Sequence, residues 1–261
     1  MIKKLAVICA IASFACLTGC ATYIPAEVRS QLAPTGVMRV GLNLSTTLLA
    51  KRDSASGELR GVAIDIANEL GRRLEMQVQF VAYATGELDK AIGKNEWDVA
   101  FFAIEPTRAQ RVSFSPPYAE IETSYLVKKD ALMLRAQDVD REGLTVAVSS
   151  GAGYESMLAG LLKHSKLLRT SGFADSIRQL NEAKVNAIAG LKPDLIAYAA
   201  KQPGFRVVDG KFGAVEQGIG IQRGMDAAAQ YLRTYVTDLK QSGFVSKSIA
   251  SNNASGLTVP Q

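Results

Sequence analysis

Arg108 is the residue of this chain best suited to hold a small anion. Its guanidinium offers a planar fork of donors that matches a carboxylate bidentately, which a lysine ammonium does less well. It stands in Ile104-Glu105-Pro106-Thr107-Arg108, at the end of the nearly all-apolar run 98–104. Such a run fits a strand buried on both faces of a parallel sheet, and ligands of α/β sheets collect beyond strand ends. A surface arginine in a polar loop is the plainer alternative. A second candidate is Ser149-Ser150-Gly151-Ala152, after the strand-like segment 144–149. Small side chains there let backbone N–H groups approach a ligand, or simply make a strand-to-helix turn. Asn43 ends the strand-like segment 38–43 and can donate or accept, which suits a neutral polar group. Phe101 and Phe102 alternate across their strand, so one ring can face a cleft and the other a core.

Other chemistries have little to work with. The three cysteines, Cys9, Cys16 and Cys20, all fall in the first twenty residues. If that segment is removed, disulfides, thiol nucleophiles and cysteine zinc sites go with it. The single histidine, His164, sits in a helix-end context and reads as a surface or capping residue. A histidine-based metal site or triad lacks support, and no cofactor or metal is expected.

Residues 1–19 read as a signal peptide: Met1-Ile2-Lys3-Lys4, an apolar run from Leu5 to Leu17, then Thr18-Gly19-Cys20. The run spans only ~20 Å as a helix, short of a ~30 Å hydrocarbon core. The formal charge of +5 falls to +3 without Lys3 and Lys4, and no long basic run remains. Nucleic-acid binding is therefore not expected. Residues 20–35 contain two prolines and no periodicity, and read as a tether.

The elements that would position these residues alternate in type. Val62, Ile66, Leu70 and Leu74 recur every four residues, marking an amphipathic helix. A strand is expected at 78–83, a short helix at 88–92, and the alternation restarts at 144. Helices are expected around 154–162, 176–182 and 193–201, the last with a proline at its start. Strands are expected at 187–191, 205–208 and 218–222, and a long helix over 225–239. Asp194 falls at a helix start, where capping is its expected task. Strand–helix alternation twice over predicts two α/β lobes.

Several segments, in order, resemble the family 3 solute-binding proteins, the polar-amino-acid branch of the receptors that serve ABC importers. They are Met38-Arg39-Val40-Gly41, Gly61-Val62-Ala63-Ile64-Asp65-Ile66-Ala67 and Trp97-Asp98-Val99-Ala100. Ile104-Glu105-Pro106-Thr107-Arg108 follows, with Val112-Ser113-Phe114-Ser115-Pro116-Pro117-Tyr118. Gly143-Leu144-Thr145-Val146-Ala147-Val148 and Gly218-Ile219-Gly220-Ile221 complete the set. The tetrad Leu17-Thr18-Gly19-Cys20 also resembles the bacterial lipobox, whose cysteine is acylated; an ordinary signal peptide ending in a cysteine is the alternative.

The resemblance implies a two-lobe α/β periplasmic-binding-protein fold, type II-like, with two parallel-dominated sheets joined by a two-strand hinge. Lobe 1 would hold 36–126 and 217–250, lobe 2 would hold 127–216, and 251–261 would be a frayed tail. It also implies an exported protein of the cell envelope or periplasm, anchored to a membrane through lipidated Cys20. That protein would be a monomer partnered by an ABC permease of the inner membrane. Its ligand would be a small carboxylate-bearing solute, an amino acid or amino-acid-like, taken up by hinge closure. A dehydratase-type enzyme and a sensory lipoprotein are the alternatives on the same fold; the expectation is a binding protein, not an enzyme.

The resemblance places the carboxylate-binding arginine at Arg108. Around it this chain departs from the family pattern. Ala103 stands where a serine or threonine is usual, and Phe101 where a small residue is common. Leu191 replaces the aspartate that pairs with an α-ammonium, and Asn43 replaces a frequent aspartate. A buried ammonium without an anion is costly, and Glu120 and Glu122 are the acidic residues that could stand in for the missing charge.

Overall fold

The computed structural model describes residues 24–44, 46–84 and 86–261, so the expected signal peptide and Cys20 lie outside the described residues. The first part of the chain forms α1 (Ala26–Leu32), β1 (Val37–Asn43), β2 (Lys51–Arg52), β3 (Leu59–Arg60), α2 (Val62–Leu74), β4 (Gln77–Tyr83), α3 (Glu87–Lys90) and β5 (Val99–Ala103). Then come α4 (Pro106–Ala109), β6 (Val112–Phe114), β7 (Ala119–Lys128), β8 (Thr145–Ser149), α5 (Glu155–Leu161), β9 (Lys166–Thr170), α6 (Phe173–Asn181) and β10 (Ala187–Leu191). The chain ends with α7 (Lys192–Lys201), β11 (Phe205–Val207), β12 (Gly213–Gln222), α8 (Asp226–Gln241), α9 (Phe244–Ser251) and β13 (Leu257–Thr258).

Eight strands follow one another across a single mixed sheet in the order β4-β1-β5-β12-β7-β10-β8-β9. The blocks β4-β1-β5 and β10-β8-β9 are parallel, as the alternation with helices requires. Between them β12 and β7 run antiparallel to their neighbours and carry the sheet from one block to the other. On β7, Thr123 is the pivot, opposite Gly213 of β12 on one side and Leu191 of β10 on the other. Thr123 and Ser124 are fully buried there, and their hydroxyls donate to the carbonyls of Gly213, Val208 and Gly210.

Each block has its own core. Val40 and Leu42 of β1 meet Ile66, Leu70 and Leu74 of α2, with Tyr235 and Leu239 of α8, on the first. Val146 and Val148 of β8 meet Leu158 of α5 and Ala187 and Ala189 of β10 on the second. All five residues of β5 are buried, as its apolar composition predicts. Its approach is fixed by Asp98, whose carboxylate accepts from the Arg39 backbone N–H at 2.8 Å and from its guanidinium at 3.0 and 2.6 Å. Gly61 enters α2 at φ 137°, where a Cβ would strike the Leu49 carbonyl.

Two expectations are corrected. The stretch 20–35 is not all tether: Ala26–Leu32 is helical and buries Val28 and Leu32, while the Ala228 N–H donates to the Gln31 side chain at 2.9 Å. One i, i+4 apolar pair is too little periodicity to announce a helix from sequence. Nor is 251–261 frayed. Ala254 and Leu257 are buried, and Leu257–Thr258 pairs with Ile121 and Glu120 of β7, a partner more than a hundred residues away.

Candidate functional site

A cavity of about 460 Å³ opens where the two parallel blocks face each other across β7 and β12. From the first block it is bordered by Asn43, Asp89, Phe101, Ala103 and Arg108. From the second come Ser150, Gly151, Leu191 and Asp194. Asn43, Phe101, Ala103, Arg108, Ser150, Gly151 and Leu191, singled out from sequence, therefore all border one cavity, whereas Glu120 and Glu122 do not. It lies beyond the ends of β1, β5, β8 and β10, where a switch in strand order leaves room for a ligand.

Arg108 is held in place from several sides. Glu105 caps the short α4, its carboxylate accepting from the Arg108 N–H at 3.2 Å. The guanidinium lies over the Phe102 ring, 5.6 Å from its centroid. Its Nη1 donates to the Ala103 carbonyl at 3.1 Å, and its Nη2 reaches the Gly151 carbonyl on the opposite wall at 3.3 Å. Its fork is already engaged: Nε and Nη2 donate to the two carboxylate oxygens of Asp89 at 2.6 and 2.8 Å. Sequence reasoning found the arginine and missed this partner, which belongs to another short helix nineteen residues earlier.

The loop after β8 follows the turn alternative rather than offering its N–H groups to a ligand. The N–H groups of Ser150, Gly151 and Ala152 donate within the chain, to the Thr170 carbonyl, the Glu155 carboxylate and the Ser149 carbonyl. What the loop offers the cavity at Gly151 is a carbonyl, and Arg108 takes it. Gly153 follows, so close to the first block that a Cβ there would collide with the Ala103 Cβ. The small residue at 103 is thus part of how the walls approach. The Phe101 ring packs edge-on against Tyr118, 5.7 Å between centroids, and is 3% exposed, which is its core reading.

Asp194 is the largest revision. It was expected to cap α7, yet no side chain caps that helix, and Leu191 occupies the N-cap position. The Asp194 carboxyl borders the cavity instead, and burial pushes its pKa above the ordinary 3.8. Leu191 borders the same space and packs against both cores. Glu120 and Glu122 do not supply the missing charge. Glu122 is bridged by Lys192 and Lys211, both at 2.9 Å, and these bonds hold its carboxyl below the usual range. Glu120 accepts from Thr258 in the C-terminal strand pair.

Glu105 also touches the opposite wall, accepting from the Ser156 hydroxyl of α5. Burial works to raise its carboxyl, but the Ser156 bond and the Arg108 N–H and charge outweigh it and keep it low. His164 is exposed, and its backbone N–H donates to the Asp140 carboxylate. Among the described residues no cluster of three or more acidic, histidine or cysteine side chains is placed to hold a metal ion. No described helix is long and apolar enough to cross a membrane.

Comparison with known proteins adds to this geometry. The model of the bacterial extracellular solute-binding proteins, family 3, matches residues 38–251. The glutamine-binding protein of Geobacillus stearothermophilus is 25% identical over 197 residues, covering 71% of this chain and 72% of that one. In fold the chain is similar to a mutant of the arginine-binding protein ArgBP from T. maritima, with TM-score 0.69 at 23% identity over 86% of this chain and 98% of the other. It is equally close to the ancestral amino-acid-binding protein AncCDT-1, described as a precursor of cyclohexadienyl dehydratase, with TM-score 0.68 at 23% identity over 85% and 97%.

Proposed function

The chain belongs to the family 3 bacterial extracellular solute-binding proteins, and from that premise we propose that it is the lipid-anchored receptor of an ABC importer for an amino-acid-like solute. The solute binds in the cavity between the blocks with its carboxylate on Arg108 and its ammonium on Asp194. The lobes close over it about β7 and β12, with 36–126 and 217–250 on one side and 127–216 on the other. The observation that carries this reading is the placement of an arginine fork and the half-buried Asp194 on opposite walls of one cavity. Opposite charges so arranged match a zwitterion and repel its mirror arrangement. The signal-peptide-like start and Cys20 in the sequence support a position in the cell envelope, with an ABC permease as the partner.

Isothermal titration of wild type, Arg108→Ala and Arg111→Ala with a panel of L-amino acids tests it. Removing one partner of a buried charged pair costs roughly 2–5 kcal/mol, about 30- to several-thousand-fold in affinity. Arg111 donates to the Ile92 carbonyl away from the cavity, so its loss should change affinity little. Equal affinity of wild type and Arg108→Ala, with the fold intact by circular dichroism, sinks the reading.

A second reading has one observation in its favour. A carboxyl with a raised pKa in a cleft can hold a proton for acid-assisted elimination. Release of water from a prephenate-like acid, lost in Asp194→Asn, would favour that reading over transport.

A further inference from the structure

Asp89 and Arg108 make the same contact that a solute carboxylate would make. Both carboxylate oxygens face two guanidinium donors along one edge, at 2.6 and 2.8 Å. We propose that Asp89 is an internal competitor for the carboxylate-binding fork, and that it sets the specificity of the cleft by rejecting solutes that offer a carboxylate alone. The proposal rests on the reading that solutes place a carboxylate on Arg108.

The two partners are not equally fixed. The Arg108 side chain is 12% exposed, pinned by two carbonyls and the Phe102 ring. The Asp89 side chain is 30% exposed and borders the cavity. Its helix, α3, is anchored by Leu88, which is 3% exposed and packs with Trp97. Asp89 can therefore leave the fork by rotating its own side chain into water, with α3 staying in place. The arginine cannot follow without breaking its other bonds.

Exchange then has a definite ledger of contacts. A simple organic acid that enters replaces one carboxylate–guanidinium pair by another, and gains no new ion pair. An amino acid makes the same exchange and adds an ammonium to the Asp194 carboxyl. With Asp89 turned outward, Arg108 and Asp194 leave the cleft electrically matched to a zwitterion. With Asp89 inward, the cleft carries an excess negative charge. The fraction of molecules with the fork free scales the apparent affinity of every carboxylate ligand. Asp89 lowers that fraction for all of them, and only solutes with a second anchor recover the loss.

The test is titration of wild type, Asp89→Asn, Asp89→Ala and Arg108→Ala with twenty L-amino acids, butyrate, succinate and agmatine. Asparagine keeps the size and one acceptor of aspartate and drops the charge. Asp89→Asn should bind the amino acids of the wild-type spectrum roughly tenfold more tightly, and bring butyrate or succinate into measurable binding. Agmatine, which has an amine and a guanidinium and no carboxylate, should not tighten. Asp89→Ala should behave like Asp89→Asn, showing that the charge and not a residual hydrogen bond is responsible. Unchanged or weaker amino-acid binding in both Asp89 variants, with Arg108→Ala still abolishing it, removes the competitor and leaves the carboxylate reading standing. Amino-acid binding unchanged in Arg108→Ala, or absent in every protein of the set, removes both.

Discussion

The Glu105 carboxylate and the Ser156 hydroxyl meet across the cleft, joining the start of α4 on one block to α5 on the other. Together with the contact from Arg108 to the Gly151 carbonyl it forms a polar clasp between the walls. A hydrogen bond to a charged group contributes roughly 1.5–3 kcal/mol. Ser156→Ala should therefore shift the protein toward open forms, with a larger radius of gyration by small-angle scattering and affinity lowered by about tenfold or more. Scattering profiles of mutant and wild type that coincide would show that the clasp does not govern closure.

Gly153 gives an independent handle on closure. A methyl group there collides with Ala103 of the facing block, not with its own. Gly153→Ala should thus press on Ala103, which also packs in the second core, and hold the walls apart. Overpacking costs about 1–3 kcal/mol, which predicts a loss of roughly 5- to 150-fold in affinity. Melting of the protein without added solute should move little; a large fall in that melting temperature would place the damage in the fold.

Asp194 should separate stability from binding. Its folded-state pKa lies above the ordinary 3.8 because of burial. Between those values the folded protein holds a proton that the unfolded chain has released, so stability falls as pH rises through the window. Asparagine escapes this penalty. Asp194→Asn should melt higher than wild type at pH 7, with the advantage fading below pH 3.8, and should bind amino acids more weakly. A variant that is both less stable at pH 7 and unaltered in binding would contradict both roles.

Cys20 is tested by substitution. Cys20→Ser should abolish incorporation of labelled fatty acid and leave the protein uncleaved or released in soluble form. Equal labelling of mutant and wild type would exclude the lipid anchor.

How much of this was legible depends on the range of the interaction concerned. The β5 strand and α2 announced themselves because five consecutive apolar residues and a four-residue repeat are local signals. Arg108 was singled out because it follows such a strand end inside segments that resemble the family, and it borders the cavity. Its pairing with Asp89 was not, since nothing in the order of residues says which of two short loops will face the other. Asp194 was misread because an acidic residue in a first helical turn usually answers the helix, whereas here it makes no side-chain cap and borders the cavity. β9 passed unnoticed because its sequence, Lys-Leu-Leu-Arg-Thr, lacks alternation and its parallel partner is β8. β13 has only two residues, and its strand character exists through β7 alone.

The first core is closed by residues from both ends of the chain: the Tyr235 hydroxyl donates to the Ile66 carbonyl, and Ser248 and Asn252 donate to the Asp65 carboxylate. A ribosome delivers those partners last. The early half-sheet must therefore wait, with its helices unpaired, until more than a hundred further residues have been made, and non-local pairing of this kind folds slowly. A chain ended at Phe212 should show no cooperative melting of the first block, whereas one that folded on its own would contradict this. Slow completion leaves the growing polypeptide without a finished first core until α8 and α9 have been made, so the same helices that complete its packing also set when that block can fold.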